Sequence, residues 1–244
     1  MTIQSKEHDL SLQRYARLGG LLYLVIIIAG FSSEFFFRGK MIVAGNATAT
    51  ANNIMDSPTL WRIGIGLEYF CVICTIVLAM IYFFLLRPVH KKLNLLAAFF
   101  RIVSITVQVV ALLGLIQALF PLDQSEYLNV FTAGQRNAMT NLAIKSHSFG
   151  YGISLLFLGC CFLIHGYLIR KSSFLPKVLG ILIQIAGIGY LSNGFTLILA
   201  PELTSWTFPI IILPVLVAET SLSIWLLVKG VDVAKWKLKQ AEIF

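Results

Sequence analysis

Two glutamates and a histidine, Glu34, Glu68 and His147, stand out because each sits in otherwise apolar sequence. Two carboxylates and an imidazole can bind a divalent metal, act as an acid–base pair or relay protons. Asn193 falls at a similar depth along its own apolar run, and Tyr151 can add a hydroxyl. If these runs face one another, the five side chains line a polar pocket for a small ligand or ion. A plainer reading pairs Glu34 with Arg38, one turn later, and lets both snorkel to the surface. Glu68 lies too deep for that.

Arg101 and Glu219 raise a separate question. Each lies well inside an apolar run, where an unpaired charge costs about 2.5–3.5 kcal/mol by insertion scales. A long arginine reaching that carboxylate gives a structural ion pair between two helices, Arg101 with Glu219. No residue is assigned a catalytic role, no metal ligands are assigned, and no cofactor is implied. Phosphate-binding glycine loops, His-Glu-x-x-His and Gly-x-Ser-x-Gly are all missing. Cys71 and Cys74 have redox spacing, but deep apolar surroundings make packing the expected role.

The elements that must position these groups follow from composition. Of the 244 residues, 58% are hydrophobic and 12% charged, with mean hydropathy +0.84. A soluble chain carries about 25% charged residues, so hydrocarbon must be part of this solvent. Crossing about 30 Å of hydrocarbon takes roughly 20 apolar residues in a helix. Six stretches qualify: 18–37, 63–86, 95–120, 148–169, 178–200 and 208–228. The expected fold is all-α, a single membrane domain over 1–244 with six transmembrane helices.

The net charge of +8 is distributed by side, which argues against nucleic acid as a partner. Lys6, Arg14, Arg17, Arg87, Lys91, Lys92, Arg170, Lys171, Lys177, Lys229, Lys235, Lys237 and Lys239 fall on one side. Only Arg38, Lys40, Arg62, Arg136 and Lys145 fall on the other. Thirteen against five predicts that both termini are cytoplasmic. The basic loops and the tail, with Trp236 among its lysines, then meet anionic inner-leaflet lipids of the bilayer.

Local signals place the connections. Residues 47–55 suggest an interfacial helix, Ser57-Pro58 a helix start, and Thr132 to Gln135 a capping box. Trp61 and Arg62 are expected to anchor the second span among headgroups. Gly152, Gly159 and Gly166 recur every seven residues on one face of the fourth span. That face allows close helix packing, within the chain or against a partner such as a second copy.

Several segments resemble an uncharacterised, mainly bacterial multi-pass family, domain of unknown function 4386. They are Tyr15 to Tyr23, Phe35 to Lys40, Leu86 to Val89, Phe100-Arg101, His147 to Tyr151 and Leu175 to Gly180. The resemblance implies a protein of the bacterial cytoplasmic membrane and brings no activity or site residues with it. Three functions remain open: binding or transport of a small ligand or ion through the outward-facing pocket, intramembrane acid–base or metal-assisted catalysis by Glu68 and His147, and a non-catalytic partner role through the glycine face.

Overall fold

A computed structural model describes residues 3–242. The side chains of residues 3–10, Lys6 among them, and of Ser205 lie outside that description. Eight α-helices follow one another: α1 (Ile3–Ser32), α2 (Ala47–Asp56), α3 (Pro58–Leu86), α4 (Lys91–Gln117), α5 (Ala133–Lys171), α6 (Lys177–Leu199), α7 (Thr204–Val228) and α8 (Val233–Ala241). The described residues contain no strand. Six of the helices, α1 and α3 to α7, are long and apolar enough to cross a membrane.

Each of these six packs on the next. α1 meets α3, α3 meets α4, and so on to α7, which returns to α1 and closes a ring. The first turns of the described α1 and the segment after α7 meet at one end of it, here the terminal end. Gln13 of α1 donates to the Lys229 carbonyl at 2.8 Å and accepts from Val231 N–H at 3.1 Å. Trp236 of α8 is buried there and donates Nε1–H to the Leu85 carbonyl at 2.8 Å. It therefore docks α8 onto the bundle rather than standing free in a basic collar.

Glycine explains the tightest seam. Gly152, Gly159 and Gly166 of α5 face Gly194, Gly187 and Gly180 of α6 in antiparallel register. A Cβ built on Gly159 lies 2.8 Å from the Gly187 carbonyl oxygen, and one on Gly166 lies 2.5 Å from that of Gly180. Only glycine permits this approach. The glycine face is thus covered within the chain, and is not a free docking surface.

Buried hydroxyls and an indole tie other seams. Ser104 of α4 donates to the Ser154 carbonyl of α5 at 2.9 Å, and Ser223 of α7 to the Gly20 carbonyl of α1 at 2.9 Å. Trp61 is fully buried and donates to the Leu115 carbonyl at 3.0 Å. It joins α3 to α4 instead of anchoring among headgroups; its neighbour Arg62 is exposed.

The other end of the ring, the distal end, carries the longer connections. The capping box forms as expected: Thr132 Oγ1 accepts from Gln135 N–H, and the Gln135 side chain from Thr132 N–H. It starts a 39-residue helix, so the short lead-in and the fourth span are one continuous α5. At 1.5 Å rise per residue such a helix is longer than the hydrocarbon is thick, and its first turns project beyond it. α2, N-capped by Asn46, packs on this projection. Pro58 opens α3 as its sequence suggests, although the Ser57 side chain makes no capping bond.

Candidate functional site

The last turn of the first span departs from α-helical geometry. Ser33–Arg38 form a π-helical turn closed by Gly39 N–H donating to the Glu34 carbonyl at 2.7 Å. Such turns are frequent at functional sites. Ser33 fixes it by donating to the Gly64 carbonyl of α3 at 3.1 Å. Gly64 lets this turn pack closely on α3, since a Cβ there would sit 3.2 Å from Phe37 Cβ, while Arg38 Cγ, at 3.5 Å, would be in ordinary contact.

Arg38 therefore turns inward. It is only 7% exposed, and its guanidinium contacts three side chains from three helical segments. Nη2 donates to Glu34 Oε2 at 2.5 Å and to Glu68 Oε1 at 3.1 Å. Nη1 lies 2.7 Å from His147 Nε2. Glu68 and His147 are each 5% exposed, whereas the Glu34 side chain is 55% exposed. The cluster thus runs from the surface of the distal end into the ring.

Hydrogen-bond roles settle the imidazole. A guanidinium has no acceptor, so His147 Nε2 must accept, and Nδ1–H donates to the Ala111 carbonyl at 3.1 Å. The ring is neutral in this arrangement, with both nitrogens committed, and neither is free to act as a base. One guanidinium is thus shared by two carboxyl groups, which would carry one negative charge in excess when both are ionised. Among the described residues, no group of three or more His, Cys, Asp or Glu is placed to hold a metal ion.

Of the residues expected from sequence, Glu34, Glu68 and His147 come together. Tyr151 stands beside them, its ring centroid 6.0 Å from that of His147. Asn193 makes no hydrogen bond to the cluster. It is buried on α6, beside Gly194 in the glycine seam, and its Oδ1 has no protein partner. Arg38 is the member that sequence reasoning left at the surface. The signal was its position four residues after Glu34; the turn that aims it inward was not legible.

Arg101 and Glu219 do not form a contact pair: no ion pair within 4.0 Å joins them among the described residues. Tyr190 holds the Glu219 carboxylate instead, donating to Oε1 at 2.5 Å. Arg101 acts on Glu219 through space. The cysteines are free, and Cys71 Sγ lies 3.8 Å from the Ile26 carbonyl.

A groove of about 690 Å³ also opens at the distal end, between α2, α3 and the connection after α4. Its walls include Ile54, Ile65, Phe120, Arg62, Asp123 and Tyr127, and none of Glu34, Glu68 or His147 lines it. The ion cluster and this groove are separate features.

Comparison with known proteins gives a consistent result. The sequence model of the family described as Domain of unknown function (DUF4386) matches residues 18–230. An uncharacterized protein of the archaeon Archaeoglobus fulgidus is 29% identical over 180 residues, covering 71% of this chain and 86% of that protein. No solved structure matches the chain.

Proposed function

The chain belongs to the DUF4386 family of multi-pass membrane proteins, and we propose that it binds a small cation at the Glu34–Arg38–Glu68–His147 cluster. The observation that carries this reading is the sharing of one guanidinium by two carboxylates. With both carboxyl groups ionised the cluster is one positive charge short, and an uncompensated charge near hydrocarbon is costly. Glu34, more than half exposed, supplies the route by which a cation or proton arrives. Arg38 then acts as a tethered stand-in, and an incoming cation competes with it for Glu68. Movement of the cation onward through the membrane is an extension of the same reading.

The count of basic residues supports placing both termini in the cytoplasm, so that the cluster faces outward. A cytoplasmic membrane is the location this implies. A second reading, favoured by the burial of Arg38, is a static lock joining α1, α3 and α5.

Isothermal titration of purified protein separates the two. Methylguanidinium, methylammonium and sodium are added in turn to the wild type and to Glu68→Gln. The binding reading expects saturable heat with at least one cation in the wild type and none in Glu68→Gln. Equal heats in the two proteins, or none in either, contradict it and leave the lock.

A further inference from the structure

The ring has a second polar group, nearer its middle, to which every span contributes. Tyr23 comes from α1, Tyr82 from α3, Arg101 from α4, His165 from α5, Tyr190 from α6 and Glu219 from α7. Ring contacts join them: Tyr23 and Tyr82 meet edge to face with centroids 6.2 Å apart, and Tyr82 lies 5.4 Å from His165. Tyr190 donates to Glu219 Oε1 at 2.5 Å. The Glu219 charge acts on Tyr23, Tyr82 and Tyr190, and the Arg101 charge on Glu219 and His165. Leucine and phenylalanine side chains, Leu78, Leu155 and Phe162 among them, surround this group.

Its hydrogen bonding is incomplete. The hydroxyls of Tyr23 and Tyr82 are buried, the residues 5% and 8% exposed, and neither makes a hydrogen bond of regular geometry. Tyr23 is nonetheless close to the Glu219 carboxylate. A carboxylate accepts about four hydrogen bonds, and Tyr190 fills one. Spare donors beside spare acceptors in an apolar wall fit an internal water, which needs 2–4 polar partners. Phenolic donors favour a ligand that accepts, and the Glu219 charge opposes an anion. One carboxylate with Arg101 nearby is a poor cage for a metal cation.

We propose that this group is a second polar site, holding internal water, at which Glu219 takes up and releases a proton in the middle of the bundle. A lone pair on a Glu219 carboxylate oxygen forms the O–H bond with a proton delivered by water. The same bond breaks when the proton returns to water, and no other atom changes its bonding. The groups facing Glu219 are Tyr190, Tyr23, Tyr82 and Arg101; Tyr151 and His165 of α5 complete the surround. This site shares no residue with the Arg38 cluster. Tyr151 is within electrostatic reach of both Glu68 and Glu219.

Infrared difference spectra of the full chain in lipid nanodiscs test this. Acid-minus-alkaline spectra are recorded in H₂O and D₂O for the wild type, Glu219→Gln and Glu68→Gln. The expected result is a protonated-carboxyl carbonyl band that shifts in D₂O, is lost in Glu219→Gln and persists in Glu68→Gln. Tyr190→Phe should displace its pH midpoint by roughly tenfold in proton concentration, the scale of one hydrogen bond to a charged group. A band that survives Glu219→Gln, fails to shift in D₂O or never forms overturns the proposal. Should Glu219→Gln not fold, a band whose midpoint is unmoved by both Tyr190→Phe and Tyr82→Phe overturns it equally.

Discussion

Arg38 Nη2 lies 3.1 Å from Glu68 Oε1, thirty residues further along the chain, and both side chains are almost sealed from solvent. This contact joins the end of the first span to the distal half of the second. It also converts Glu68 from a stranded charge into half of a pair.

Removing one partner should therefore cost far more than trimming the exposed member. Arg38→Ala leaves the buried Glu68 uncompensated and is expected to destabilise the fold by about 3–5 kcal/mol. Glu34→Gln removes a half-exposed carboxylate and should cost no more than about 1 kcal/mol. Denaturant titration in a fixed detergent checks both. Equal losses would mean that Arg38 is not buried between the two.

The α5–α6 seam makes a sharper steric prediction. Gly159→Ala places a methyl group 2.8 Å from the Gly187 carbonyl oxygen, a backbone atom that cannot swing aside. Overpacking of this kind costs about 1–3 kcal/mol. Gly30→Ala, where nothing lies within 4 Å, is the matched control and should be tolerated. Thermal unfolding of the two variants beside the wild type gives the comparison.

Much of this architecture is legible in sequence, for a physical reason. Span number follows from apolar length, because hydrocarbon leaves the backbone few alternatives to helix. The seven-residue spacing of Gly152, Gly159 and Gly166 marks a packing face. Which helix covers that face, through the equally spaced Gly180, Gly187 and Gly194, is seen only in the structure. Three members of the ion cluster are legible as charges or imidazole in oil. Arg38 is not, because its direction depends on a π-helical turn, which has no distinctive local pattern. Trp61 and Trp236 mislead for a related reason. An indole near a span end suits a headgroup anchor or a buried donor equally well, and only tertiary contacts decide.

Acid should loosen the docked tail before the bundle. Asp232 caps α8, its carboxylate accepting from Lys235 N–H at 3.1 Å. That bond, and then the Lys235 side chain, hold its carboxyl below the ordinary carboxylate range. A depressed carboxyl gives stability that is present above its unfolded pKa and is lost as pH falls through the lower folded value. Asp232→Ala should cost about 1 kcal/mol of cap energy at neutral pH. Hydrogen exchange of the α8 amides should rise in the variant and, below about pH 4, in the wild type. Unchanged protection in both would show that the cap does not hold α8.

The most direct test of the cation site is chemical rescue of Arg38→Ala. Methylguanidinium, at millimolar concentration, supplies the deleted group in free form. The account predicts a saturable rise in the thermal midpoint of Arg38→Ala, and no rise in Arg38→Ala combined with Glu68→Gln. An identical response of the two proteins, or no response in Arg38→Ala, would contradict a cation site at Glu34 and Glu68.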